Sequence, residues 1–386
     1  MMADLKDSLK AKYYLETDDD LEKVAQTLVE LETTGKWSGE TSPGDLFLKC
    51  KGEVYQVEEI EKGKGFVTLL YPMVNMNMEE SAFSSLWLYL IGGATHALIY
   101  YQKSRLVDFD LPEEYLKYFP GPMWGIKGVK EYLQVPAGEP VLGTIVKPTA
   151  GLTDDEVAEM CHMFAAGGLQ FIKDDEKMMN TSYCPLEQRV TKVMYVIRKA
   201  EEKTGKRTLY APHITTGPEN ILRFAETAVK AGARALMMNI FAAGFSSLKL
   251  LRENFNVPIY AHCGGKEAFG RAEGQGVSPE VVAKMARLMG GEFFRSNILN
   301  GYLVGGSVPE IKSLNRVMKG PLGEIKDMVP AFSGGLNPAN LLDNLKEFGT
   351  DMMALAGTGI TSYPGGIARG VEAMKEVAQQ YQEMKK

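Results

Sequence analysis

Residues 140–176 read PVLGTIVKPTAGLTDDEVAEMCHMFAAGGLQFIKDDE. The first apolar run, PVLGTIVKP, carries a lysine, Lys147, near its end. A stretch of helical periodicity follows over 153–166 and closes on the glycines of AAGG at 165–168. A second apolar run, LQFIKDDE, then ends in one lysine and three acids. Strand, helix, strand with short turns is one βαβ unit, and repeated βαβ units build a parallel sheet.

The same rhythm continues to the end of the chain. After the two runs above come RTLYAPHI, RALMMNI, VPIYAHC, EFFRSNI, MVPAFSGG and MMALAGTG. Helical segments lie between them, among them 186–203, 218–231, 279–289 and 338–348. Two open with a capping residue followed by proline, at Ser278-Pro279 and Asn337-Pro338. Eight apolar strands alternating with helices predict an α/β fold whose C-terminal part is a closed (β/α)8 barrel. An open doubly wound sheet would need a Gly-rich dinucleotide loop after its first strand, and GTIVKPTAGLT is not one.

Ahead of this rhythm the pattern is mixed. A charged helix over 19–31 precedes the turn-rich TTGKWSGETSPGD. Strand-like runs GEVYQVEEIE and GFVTLLYP follow, then an apolar helix over 81–90 and another strand-like run over 97–101. FPGPMWGIKG, rich in proline and glycine, reads as the way out. A smaller α+β domain of ferredoxin-like type over 1–135 and a barrel over 136–386 are expected.

Composition narrows the function. A net charge of −6 argues against a nucleic-acid footprint, which needs clustered Lys and Arg. The opening MMADLKDSLKAKYYLETDDD is charged, and no apolar run approaches a membrane span, so a cytoplasmic protein is expected. Cys50, Cys161, Cys184 and Cys263 form no CxxC pair and read as reduced core thiols.

In such a barrel, chemistry sits at the C-terminal ends of the strands. Those ends supply Lys147, Lys173-Asp174-Asp175-Glu176, His213, Asn239, His262, Arg295, Ser333-Gly334-Gly335 and Gly357-Thr358-Gly359. Alternation along an extended segment puts Lys173 and Asp175 on one side, with Glu176 able to swing in. Crowded carboxylates repel unless a cation sits among them, and hard oxygen ligands suit Mg²⁺. A salt bridge between Lys173 and the acids is the plainer alternative. Lys147, one strand earlier on an apolar run, is a candidate general base. The two glycine loops offer unobstructed backbone N–H groups, and with Arg295 beside them an anionic substrate is expected.

At IVKP and GGLQFIKDDE the chain resembles the RuBisCO superfamily, and the likeness extends over most of its length. The resemblance implies that Lys173 is carbamylated by CO2 and binds Mg²⁺ together with Asp175 and Glu176. It implies Lys147 as the acid/base residue and His262 as the histidine after the fifth barrel strand. It further implies Ser333, Gly334, Gly335, Gly357 and Gly359 as contacts to a small phosphorylated substrate, beside which Arg295 and Thr358 are expected from their own place at the strand ends. TGKW at 34–37 resembles the family segment that reaches a partner's barrel, so Lys36 and Trp37 are expected in a site shared across a homodimer, or a multiple of dimers.

Several positions depart from the carboxylating pattern. Thr149 stands where a second lysine follows KP, Cys263 where an arginine follows the histidine (Lys266 is close by), and Arg295 where the sixth strand carries histidine. The loop NGYLVGGSVPE has no lysine, and the asparagine facing the metal falls at about Gly93, with His96 the nearest titratable group. The chain is thus identified as a RuBisCO-like (form IV-type) member, with carboxylation of ribulose bisphosphate not expected. The resemblance implies enolisation or isomerisation of a phosphorylated sugar-derived ketone, as in 2,3-diketo-5-methylthiopentyl-1-phosphate enolase. Two alternatives are decarboxylation of a 3-oxo sugar-acid phosphate and a non-catalytic binding or regulatory barrel.

Overall fold

A computed structural model describes residues 7–37 and 44–385. The first six residues and residues 38–43 of the turn-rich segment lie outside the described residues. Thirteen strands are found among the described residues, and the chain divides into two compact units.

The smaller unit comprises residues 1–119 together with 265–285. Its strands are β1 (Ser8–Glu16), β2 (Glu53–Glu61), β3 (Lys64–Pro72) and β4 (Lys103–Asp110). Helices Leu21–Glu32 and Met78–Leu90 complete a βαββαβ order. The antiparallel sheet runs β4-β1-β3-β2, the ferredoxin-like arrangement. One expectation for this unit needs correction, and one strand was not foreseen. The run at 97–101 is not a strand: residues Gly93–Ala97 form a short helix, and β4 lies further on in KSRLVDFD. The charged opening hides β1, in which Leu9, Ala11, Tyr13 and Leu15 are fully buried while lysines and Tyr14 alternate outward. His96 is exposed on the short helix, and Trp37 packs against Phe47 at 5.9 Å between ring centroids.

The larger unit comprises residues 120–264 and 286–386. Its strands are β5 (Val141–Ile145), β6 (Phe171–Lys173), β7 (Leu209–Ala211), β8 (Leu236–Asn239), β9 (Ile259–His262), β11 (Phe293–Ser296), β12 (Val329–Phe332) and β13 (Met353–Ala356). The remaining strand, β10 (Gly276–Val277), belongs to the smaller unit, where it runs parallel to β4. All eight expected barrel strands are present, all parallel, in the order β7-β6-β5-β13-β12-β11-β9-β8. A bridge between His213 and Met237 joins the ends, with Ile214 N–H on Met237 O and Met237 N–H on Pro212 O, each at 2.9 Å.

The boundary falls at Phe119/Pro120 rather than at 135/136, and there is a physical reason. Helix Gly125–Leu133 buries Ile126, Val129 and Leu133 in the same core as the barrel strands. Its first amides are tied down by the buried carboxylate of Glu292, at the start of β11: Met123, Trp124 and Gly125 N–H donate to it at 2.7, 2.9 and 2.6 Å. Segment 265–285 leaves the barrel unit for the same kind of reason, since it completes the smaller sheet through β10.

Candidate active site

Side-chain parity places the site. The barrel core takes Phe171, Ala211, Met237, Tyr260, Phe293, Ala331, Leu355 and Val141 from successive strands. Side chains alternate along a strand, so residues an even number of positions further on face the same interior. Those residues are Lys173 and Asp175, His213, Asn239, His262, Arg295, Ser333, Gly357 and Lys147. The polar strand ends thus share one face at the C-terminal mouth of the barrel.

Asp174 has the opposite parity and a different job. It is fully buried behind the strand, where Arg189 Nε donates to it at 3.1 Å and the Tyr210 hydroxyl at 2.6 Å. The His213 main-chain N–H adds a third bond at 2.9 Å. Arg189 also donates to the carbonyls of Met178, Met179 and Cys184, binding down the loop that follows KDDE. One carboxylate of the motif is therefore consumed in anchoring, leaving Asp175 and Glu176 for the mouth. The signal for Arg189 was legible: it sits among Leu186, Val190 and Val193 on the buried stripe of helix Leu186–Thr204.

The plainer alternative, a salt bridge from Lys173 to the acids, does not form among the described residues. Lys173 is 2% exposed, and its Nζ donates to the carbonyl of Asp174 at 2.9 Å and touches Met237 Sδ at 3.4 Å. Nζ also stands 5.3 Å above the Tyr260 ring. Burial, opposed by Asp175 and Asp174, pushes its ammonium down to about 8. Asp175, 6% exposed, instead pairs with Lys147 at 2.5 Å. Lys147 Nζ further donates to Thr149 Oγ1 at 3.1 Å.

The shift at Lys173 has a sign that can be measured. Below about pH 8 the lysine is protonated in folded and unfolded chains alike. Between 8 and the unfolded value near 10.5 the folded form releases its proton first, so stability rises with pH across that window. A shift of this size corresponds to roughly 3 kcal/mol. In CO2-free urea melts, the stability of the wild type relative to Lys173→Met should therefore climb by about that amount from pH 7.5 to 10.5. Parallel curves would contradict it.

His262 is held neutral. Burial, then the positive charges of Lys173 and Arg295, push its imidazole well below its ordinary range. Gly264 N–H donates to Nδ1 at 3.2 Å, which puts the ring proton on Nε2. The 3.6 Å approach of Nδ1 to Glu176 Oε2 is consequently not an ion pair. Gly264 has no room for a side chain: a Cβ there would lie 2.3 Å from Glu176 Oε2 and 2.8 Å from His262 Cε1. Asn239 turns out to be structural, its Oδ1 capping a short helix through Phe241 and Ala242 N–H. His213 is buried and also held neutral, at about 3, by burial and then by Lys173 and Arg189.

The glycine loops meet at the other side of the mouth. Gly334 and Gly335 have φ of 98° and 103°, and Leu303 and Tyr302 pack where side chains would stand. A Cβ on Gly359 would lie 2.3 Å from Leu336 O, so the two loops are in contact. A Cβ built on Gly357 would stand at ordinary contact distance from the Lys147 chain, 3.6 Å from Cε. The chain of neighbours thus runs from Ser333-Gly334-Gly335 through Gly357 and Lys147 to Asp175. Lys36 and Trp37 belong to the smaller unit and are exposed there.

A closed eight-stranded parallel barrel with an acid–lysine pair, a buried lysine and two glycine loops at its C-terminal mouth defines an α/β-barrel of enzyme type. The family model described as ribulose bisphosphate carboxylase large chain, catalytic domain, matches residues 125–385, and the chain belongs to that family. It is 30% identical over 377 residues to the ribulose bisphosphate carboxylase of Methanocaldococcus jannaschii, covering 92% of this chain and 88% of that protein. It is 29% identical over 391 residues to the 3-oxo-isoapionate-4-phosphate decarboxylase of Rhizobium etli, covering 95% and 91%. The octameric ribulose-1,5-bisphosphate carboxylase/oxygenase of Pyrococcus horikoshii superposes with a TM-score of 0.92 at 27% identity, covering 98% of this chain and 89% of that one. Among the described residues no helix is long and apolar enough to cross a membrane.

Proposed function

We propose that this protein is a RuBisCO-like enzyme that enolises or isomerises a phosphorylated, sugar-derived ketone with the help of Mg²⁺. The observation that carries the reading is the pairing of Lys147 with Asp175 beside a buried, acid-free Lys173. Among the described residues no three His, Cys, Asp or Glu side chains gather closely enough to hold a metal ion. Asp175 and Glu176 thus need a third oxygen ligand, which Lys173 would provide as a carbamate. Its depressed pKa favours the free amine that CO2 requires. The donor set then suits Mg²⁺.

A bound cation supplies carbonyl polarisation and offsets the negative charge of an enolate. Lys147, as the free amine rather than the ammonium that pairs with Asp175, takes the proton from the carbon next to that carbonyl and can return it elsewhere on the skeleton. His262, neutral with its proton on Nε2, offers a donor without adding charge. Arg295, Ser333, Gly334, Gly335, Gly357, Thr358 and Gly359 hold phosphate, with Lys36 and Trp37 contributed across a homodimer. Thr149, Cys263 and the lysine-free loop after β11 support a reading without CO2 fixation.

A second reading is decarboxylation of a 3-oxo sugar-acid phosphate, favoured by the nearly full-length similarity to the Rhizobium etli decarboxylase. Both leave the same enolate and differ in the leaving group. NMR of solvent deuterium incorporation separates them, using enzyme equilibrated with Mg²⁺ and bicarbonate. The panel comprises phosphorylated ketoses including ribulose 1,5-bisphosphate, 2,3-diketones and 3-oxo sugar-acid phosphates. Deuterium next to a carbonyl with the skeleton intact is the expected result. Loss of a carboxyl group would select the decarboxylase, carbon gain would select the carboxylase, and silence throughout would select a non-catalytic barrel.

A further inference from the structure

His213 carries a buried polar atom that the fold leaves unused. Its ring is 2% exposed, and Nδ1 has no hydrogen-bond partner among the described residues. The other ring nitrogen, Nε2, meets the hydroxyl of Thr215. That hydroxyl oxygen accepts the Asn239 N–H at 2.8 Å and keeps one hydrogen and a second lone pair, so it can pair with Nε2 in either ring tautomer. In the tautomer where the hydroxyl donates to Nε2, the proton of the neutral imidazole sits on Nδ1, as a donor without an acceptor, and an oxygen arriving there selects that tautomer. A buried donor left without an acceptor is costly, which favours an acceptor arriving there.

The position of that donor is set by the sheet. Lys173 is in register with Ala211, so His213 lies two residues further along the neighbouring strand and on the same interior face. His213 also bridges to Met237, whose Sδ is the atom that Lys173 Nζ touches. The His213 main chain is pinned by Asp174, the residue that follows Lys173. The donor and the lysine are thus fixed to one another through both neighbouring strands.

We infer that His213 is a positioning residue whose Nδ1–H donates to an oxygen of the carbamate formed on Lys173. The inference rests on the carbamylation proposed above. In that step the Nζ lone pair bonds to the carbon of CO2, one C=O pair moves onto oxygen, and a proton leaves Nζ for solvent. His213 neither gains nor loses a proton. It supplies a fixed dipole to the new anion and thereby raises the affinity of Lys173 for CO2.

The test is ¹³C NMR of the enzyme equilibrated with ¹³C-bicarbonate without Mg²⁺, reading carbamate occupancy against CO2 concentration, with Lys173→Ala as blank. Hydrogen bonds to charged groups contribute about 1.5–3 kcal/mol, so His213→Phe should raise the half-saturating CO2 by roughly 10-fold or more. His213→Asn, which keeps an N–H donor, should recover part of the loss; a merely packing role predicts no such recovery. If the Phe variant does not accumulate folded, His213→Val takes its place. An unchanged half-saturation in the donor-free variant overturns the inference and leaves the carbamate standing. No carbamate signal in the wild type overturns both.

Discussion

Replacing Lys147 with alanine is expected to lower solvent deuterium incorporation into any substrate the enzyme turns over by roughly 10²- to 10⁴-fold, the range a positioned general acid–base group contributes. The lysine is three-quarters buried at its side chain and holds Asp175 at 2.5 Å. Alanine removes both the proposed proton acceptor and the ion-pair partner of Asp175, so a second variant must separate them. Lys147→Arg keeps a positive charge beside the carboxylate but cannot give up its proton in a protein. Equal loss in both variants assigns the effect to proton transfer. Recovery in the arginine variant would mean that Lys147 acts only as a charge, and the enolisation reading would lose its base. Joint stabilisation by Mg²⁺ and bicarbonate in a thermal melt should survive in the alanine variant, because Lys147 is not among the proposed ligands.

Arg189→Met should be the most destabilising single change in the barrel. Arginine and Asp174 are both fully inaccessible, and the guanidinium serves one carboxylate and three carbonyls. Removing one partner of a buried pair costs about 3–5 kcal/mol, because the other charge stays buried without its match. Urea denaturation at constant slope reads this directly. Adding Asp174→Asn to Arg189→Met should recover part of the loss, since the uncompensated charge is then gone. A single-variant loss under 1 kcal/mol would show that the Tyr210 hydroxyl and the His213 N–H suffice for Asp174. The loop carrying Glu176 hangs from the same guanidinium, so activity should fall further than stability alone explains.

Much of this was legible before folding. The eight strands, their order in the chain and the polar residues at their ends follow from apolar runs punctuated by glycine and capping residues. The parity that sends Lys173 and Asp175 inward needs only the two-residue repeat of an extended chain. β1 was harder, because its outward residues are lysines and tyrosine that disguise the alternation.

The amino-acid sequence by itself determined the barrel, its family and which side chains face its mouth, since these depend on local periodicity and on motifs spanning a few residues. Tertiary structure alone decided how those side chains pair. Lys147 could reach Asp175, and Asp174 could turn away to Arg189, only once neighbouring strands and a helix were packed together. It also decided where the two units divide, because Glu292 draws residues 123–125 to the barrel while β10 draws 265–285 away. Pairing partners lie tens to hundreds of residues apart in the chain, and only burial brings them within hydrogen-bonding distance.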